Sequence, residues 1–336
     1  MSTHRPLITA GAVASLTETV AGKRAAVKTM IYGAVDLSTV MPDVVAPNWG
    51  GTALPQGCTS ITNLTITNPG GRTGGTSISA QLLVPTATPV GKCLLFCCGH
   101  AGWPDFYVAT DGSSIVVRML ALGWHILIAD MPNYGLQPTQ VVVINGATVT
   151  QTNSDNYAPK GSTKPFDAPN VGRLFFDHLI IACNWVAANV TNKLYLAGVS
   201  GGGSTCLQLA CLDDRFKIVH TLQGNGPIDF WNSETTSWID WTHNDVYVAG
   251  SSNLSTEMLA LTAAAVPGRI SVIHSADADE YHGDQHLIWE NWMDTVAPWV
   301  AMSFAGSSLA YHRKAGAHSI DSAQAAWVEA HFVANT

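Results

Sequence analysis

The sequence predicts an α/β domain built on a doubly wound, mostly parallel sheet with helices on both faces. Three observations carry that expectation. From about residue 60 onward, short apolar runs of strand length alternate with helix-length segments, a rhythm that implies crossover connections between parallel strands. The run Cys93-Leu-Leu-Phe-Cys97-Cys98, and the run His125 to Ala129 after its leading histidine, are apolar without interruption, as strands covered on both faces are. Finally, 336 residues with 47% hydrophobic and only 12% charged content can fill a sizeable core, and that low charge excludes a highly charged disordered chain.

Taken in order, residues 1–59 read as an N-terminal arm, with a short helix around Leu16 to Ile31. A stretch rich in Pro and Gly follows from Met41 to Gly51 and reads as loop. The main domain, 60–336, opens on a hairpin: Ser60 to Asn68 alternates as a strand, Asn68-Pro-Gly-Gly-Arg-Thr-Gly-Gly turns, and Ser77 to Val84 returns. Next come a strand at Cys93 to Cys98, a helix at Ser113 to Leu122 closed by Gly123, and a strand at His125 to Ala129. The rhythm then breaks at about 139–152, where two β-rich arms flank Asn145-Gly146, the strongest short hairpin signal in a sequence, so this segment reads as an insertion. A helix at Arg173 to Val190, a strand at Leu194 to Ala197, a helix at Ser204 to Leu212 and a strand at Ile218 to Leu222 resume the pattern. It closes with a helix near Leu254 to Ala265, a strand at Ile270 to His274, a helix at Asp284 to Val296, a strand at Trp299 to Phe304 and a helix at Ile320 to Val333.

Composition removes several classes of function. The net charge of -8 and the lack of any Lys/Arg run leave no footprint for phosphate-backbone binding, so nucleic acid is not an expected partner. The longest nearly apolar stretch, Val116 to Ala129, is shorter than the ~20 residues of a spanning helix and contains Arg118, so no membrane partner is expected. Seven cysteines, an odd number set mostly in apolar runs, read as small buried hydrophobes and not as a disulfide framework or zinc site. The dense set Asp277, Asp279, Glu280, His282, Asp284 and His286 lacks the spacing of a known metal loop, and no metal or cofactor is expected. No secretory signal is seen at the N-terminus, which suits a cytoplasmic protein, or a virion-associated or released one if phage-encoded. Nothing in the sequence specifies an oligomer.

The chemistry-bearing segment is Leu194-Tyr-Leu-Ala-Gly198-Val-Ser200-Gly201-Gly202-Gly203, a G-x-S-x-G between a strand and a helix. A serine hydroxyl becomes a useful nucleophile when a base is in reach, and a tight strand-to-helix turn lifts Ser200 off the sheet edge. The helix start then aims the Gly201 N–H at developing negative charge. Without its context such a motif is more often a structural turn. Here the strand, the helix and two later elements are in place. An acidic loop, Asp277-Ala-Asp279-Glu280, follows the strand ending at His274, and His318 stands immediately before the last helix. Asp279 is the favoured acid and Asp277 the alternative. The turn Gly99-His100-Ala101-Gly102 after the first central strand supplies a second oxyanion donor, for which the His100 N–H is the candidate.

These residues, in this order, resemble the α/β-hydrolase family from about residue 60 to the C-terminus. The likeness includes Leu122-Gly-Trp-His-Ile-Leu-Ile-Ala-Asp130-Met-Pro-Asn-Tyr-Gly135 and the elbow continued by Leu212-Asp-Asp-Arg, features similar to the branch of dienelactone hydrolases, acetyl-xylan esterases and oligopeptidases. The glycine usual in that family's acid loop is Ser275 or Ala276 here. What the resemblance implies is a serine esterase: Ser200 as nucleophile, His318 as base, Asp279 orienting it, and Gly201 and His100 holding the oxyanion. The expected substrate is a small acyl ester, such as acetyl, on a small molecule or polysaccharide. Trp103, Trp231 and Trp238 lie on segments that border the site and could wall its pocket or pack as core. The competing readings are a lipase or peptidase of the same fold and a non-catalytic binding or structural protein that keeps it. Low charge and a Thr/Asn-rich arm also suit a phage-particle enzyme acting on surface polysaccharide.

Overall fold

The computed structural model describes residues 20–29, 32, 34–47, 54–67, 77–99, 114–131, 134–135, 141–144, 147–150, 173–224, 256–277 and 285–336. They form a nine-stranded sheet and a separate two-stranded one. The strands are β1 (Val44–Pro47), β2 (Cys58–Ile66), β3 (Ile78–Pro85), β4 (Cys93–Cys97), β5 (His125–Ala129), β6 (Val141–Ile144), β7 (Ala147–Thr150), β8 (Leu194–Val199), β9 (Phe216–Leu222), β10 (Ile270–Ala276) and β11 (Ser308–Lys314). The helices are α1 (20–29), α2 (Ile115–Ala121), α3 (Arg173–Asn189), α4 (Gly201–Leu212), α5 (Thr256–Ala264), α6 (Gln285–Ser303) and α7 (Ser322–Ala334).

The sheet order is β1-β2-β3-β5-β4-β8-β9-β10-β11, antiparallel through β5 and parallel from β5 to β11. Continuous apolarity in β4 follows from its position. Cys93, Leu95 and Cys97 enter one core with α3, α4 and α6, while Leu94, Phe96 and Cys98 enter the other with α2 and α7. All seven cysteines are free and buried, and burial pushes the Cys93 and Cys211 thiols up to about 12. Thiols so far from their thiolate form make poor nucleophiles. The inserted hairpin forms with Ile144 paired to Ala147, the two-residue connection that Asn-Gly favours. No helix among the described residues is long and apolar enough to cross a membrane.

The structure corrects two elements. Val44–Pro47, expected as loop, is an antiparallel edge strand on β2. Proline is tolerated there because an edge strand leaves one row of N–H groups unpaired. Trp299 to Phe304, expected as a strand, instead forms the end of the 19-residue helix α6, which runs on through Pro298 to Ser303, and the residue just beyond it. Trp299 and Val300 are buried while Ala301 and Met302 face out, a helical and not an alternating pattern. The strand that borders β10 is Ser308–Lys314, whose polar sequence suits a sheet edge.

The described part of residues 1–59 is integrated with the rest. Val20, Val27, Tyr32 and Leu37 join the larger core, and the buried Asn184 donates to the carbonyls of Leu37 (2.6 Å) and Val40 (2.8 Å).

Candidate active site

The site lies at the C-terminal ends of β4, β8 and β9, beside the point where the order of the parallel strands reverses around β4. Ser200 joins β8 to α4 with φ 56° and ψ -127°, outside the regions an L-residue adopts without strain. It sits at the N-cap position of α4, yet its side chain makes no capping hydrogen bond. The hydroxyl is therefore not spent on the helix. Its backbone is pinned instead: the Ser200 N–H donates to Leu222 O (2.9 Å), and the Ser200 carbonyl accepts from Gly203 N–H (2.8 Å) and Ser204 N–H (3.2 Å).

Two glycines allow the close packing that this turn needs. A Cβ on Gly202 would run into the Cys97 carbonyl at the end of β4, so only glycine lets α4 start this near the central strand. A Cβ on Gly99 would fall 2.7 Å from Val199 O and 2.8 Å from the Ser200 Cβ. The turn after β4 thus lies directly against the serine, and Gly201 opens α4 immediately beyond it.

Only two non-glycine residues among those described have positive φ, Ser200 and Gln223 (φ 54°), and they stand at the ends of neighbouring strands β8 and β9. Gln223 is fully buried. Its N–H donates to His274 O (3.1 Å), and its side-chain amide donates to Ser319 O (2.9 Å) and to Gln324 Oε1 (3.1 Å). Ser319 follows His318, so the strand that holds Ser200 from one side also holds the histidine segment.

His318 is half-buried in the segment 315–319 between β11 and α7. The Lys314 ammonium, on a side chain only 6% exposed, donates to the Ala317 carbonyl (2.9 Å) and to the Ser319 carbonyl. Asp321 caps α7 by accepting from Gln324 N–H (2.8 Å) and lies 3.5 Å from Lys314 Nζ. The acidic loop begins close by, with Asp277 N–H donating to Lys314 O (2.9 Å). The Asp277 carboxylate is ion-paired with Arg313, whose guanidinium also reaches Glu290 at 3.5 Å. His100, Trp103, Asp279, Trp231 and Trp238 lie outside the described residues.

Below this loop is a feature that sequence reasoning missed. His220 and His274, on adjacent parallel strands, share a hydrogen bond between Nδ1 and Nε2 (2.9 Å), and His220 Nε2 pairs with His331 Nδ1 (3.1 Å). His312 packs on His274, and Trp327 stacks on both His312 and His331. Burial holds His220 and His274 well below the usual imidazole range, with the neighbouring histidines adding to the effect. Scattered through the sequence, these histidines offered no spacing signal; the pairing of β9, β10 and β11 and the packing of α7 bring them together. Among the described residues, no group of three His, Cys, Asp or Glu could hold a metal ion. Gln223 and Lys314 were likewise missed, because neither belongs to a motif.

Compared with known protein families and with curated proteins, the sequence matches none. Solved structures do resemble it. Methylesterase BT1017 superposes with a TM-score of 0.59 at 14% identity over 96% of this chain, which spans 63% of that protein. A glucuronoyl esterase from Solibacter usitatus gives 0.58 at 13% identity, covering 100% of this chain and 96% of its own. An acetyl xylan esterase from Paenibacillus sp. R4 gives 0.54 at 12% identity, with 94% of each chain covered.

Proposed function

On the α/β-hydrolase fold that this chain has, we propose a serine-dependent carboxylic ester hydrolase with Ser200 as its nucleophile. The observation that carries the proposal is the conformation of Ser200, a non-glycine residue held at φ 56° between strand and helix with its hydroxyl unused by the helix cap. Strain of this kind persists only where surrounding structure over-determines it, and it clusters at active sites.

In the proposed reaction His318 takes the Ser200 proton as Oγ attacks the ester carbonyl, and the Gly201 and His100 N–H groups receive the oxyanion. Collapse of the tetrahedral intermediate expels the alcohol, which takes the proton from His318. Water, deprotonated by His318 as it attacks, then releases the acid from the acyl-enzyme, and His318 returns that proton to the leaving Ser200 Oγ. Asp279 is assigned the orienting role because the Asp277 carboxylate is engaged by Arg313. Trp103, Trp231 and Trp238 are proposed to line the pocket. The likeness to a methylesterase, a glucuronoyl esterase and an acetyl xylan esterase supports ester hydrolysis, and the last of these supports a small acyl ester of a carbohydrate as the substrate class.

The test is labelling by a fluorophosphonate together with hydrolysis of acetyl esters and release of acetate from acetylated polysaccharides. Wild type should label and hydrolyse, and folded Ser200→Ala should do neither. Folded wild type that stays unlabelled and inert on acetyl, long-chain and peptide substrates would overturn the reading.

A further inference from the structure

The Ser319 carbonyl receives two buried donors from two different elements. One is the Gln223 amide at the end of β9 (2.9 Å), the other the Lys314 ammonium at the end of β11. Neither donor is placed by chance. Gln223 is locked by its positive φ and by its N–H bond to His274 O, while the residue before it, Leu222, accepts the Ser200 N–H. From Ser200 to the residue next to His318 there are thus two hydrogen bonds, with the Leu222–Gln223 backbone and the Gln223 side chain between them. Lys314 approaches from the other side. Its ammonium donates to the carbonyls of residues 317 and 319, which flank His318, and Ser319 N–H in turn donates to Ala317 O (2.8 Å). The loop is wrapped around a single cation, with Asp321 at 3.5 Å joining that cation to the cap of α7.

We infer that Gln223 and Lys314 form a clamp on the Ser319 carbonyl that sets the position of His318 relative to Ser200. This rests on the reading of His318 as the base. The clamp has a specific geometric role. The segment 315–319 has neither helix nor strand hydrogen bonds to hold it, so its placement depends on side-chain donors. Gln223 refers the loop to the same strand end that holds the nucleophile. Lys314 fixes the loop's curvature from within. Neither residue touches the reacting atoms in this assignment; both are positioning residues. Since ~1 Å of misplacement in a catalytic group can cost 100-fold in rate, loss of either donor should fall on turnover and not on substrate binding.

Gln223→Glu keeps the shape and removes the amide donor; Lys314→Met removes the ammonium and keeps the apolar stem. Each is expected to lower kcat on an acetyl ester by about 10- to 100-fold with KM within about threefold of wild type. Rates are measured well below each variant's melting temperature, with Lys314→Leu, which also lacks a donor, as a second variant at that position should Lys314→Met not fold. The decisive comparison uses a His318→Ala background, in which neither substitution should reduce the residual rate further. Full kcat in folded Gln223→Glu and in folded Lys314→Met or Lys314→Leu, beside an inactive His318→Ala, overturns the clamp alone. An equal fold loss with and without His318 also overturns it. Full activity in His318→Ala overturns the assignment of the base, and the clamp with it.

Discussion

Arg269 offers a sharp test of how this fold is held together. Its side chain is fully buried, and its guanidinium donates to four backbone carbonyls: Ala210 (2.6 Å), Ala263 (2.6 Å), Asp213 (2.7 Å) and Phe216 (2.9 Å). Ala210 lies in the last turn of α4, Asp213 is its C-cap, Ala263 is in the last turn of α5, and Phe216 begins β9. One cation therefore satisfies the negative ends of two helices and the start of a core strand. Burial holds the guanidinium down to about 10, which still leaves it protonated at neutral pH. Arg269→Met would fill much of the volume but strand four buried acceptors. At about 1 kcal/mol for each orphaned carbonyl, the lower end of the usual range, the expected cost is about 4 kcal/mol. Arg24 is the internal control. It donates to the Cys211, Thr262 and Ala265 carbonyls and pairs with the exposed Asp214, with 14% of its own side chain exposed. Water can replace part of that set, so Arg24→Met should cost about 1–2 kcal/mol. Urea denaturation followed by tryptophan fluorescence measures both. A change below 1 kcal/mol for Arg269→Met, or a larger loss for Arg24→Met than for Arg269→Met, would show that the four carbonyls do not depend on the Arg269 guanidinium.

The buried histidines make stability depend on acid. Unfolded imidazoles titrate near 6.5, whereas His220 and His274 are held well below that when folded, so the unfolded chain binds more protons as pH falls. Their neutral packing is at full strength above about pH 6.5, and stability should drop below it by up to about 1.4 kcal/mol per pH unit for each of the two; a melting temperature that is flat or rises from pH 7 to 5.5 would contradict this. For the triad acid, Asp277→Asn should leave kcat within about threefold of wild type, because Arg313 already engages that carboxylate, while Asp279→Asn should lower it at least 100-fold. Reversed outcomes on an acetyl ester would move the acid to Asp277.

Much of the fold is legible because the strands are buried on both faces and announce themselves as apolar runs. His125 to Ala129 coincides with β5 residue for residue, and the Asn145-Gly146 signal lies between two paired strands. The elbow was equally legible, since a glycine-flanked serine between a strand and a helix is a local pattern. The failures are also physical. An apolar run such as Trp299 to Phe304 has no period that separates a buried helix end from a buried strand. The edge strands carry too little apolar residue to be seen: β1 leaves Val44 and Val45 exposed, and β11 buries only Leu309 and Lys314.

By itself, then, the sequence determined the doubly wound class, the order of the central elements and the residues offered as nucleophile and base, because each of these is written in a contiguous stretch. Tertiary structure alone decided what holds those residues. Strand order together with the packing of α7 brought four histidines together and put Gln223 beside the serine's own strand, while the path of the chain after β11 turned Lys314 into the centre of the His318 loop. The reason is that hydrogen bonds between distant segments depend on which strands are neighbours, and neighbour order is a property of the closed sheet, not of any stretch of chain.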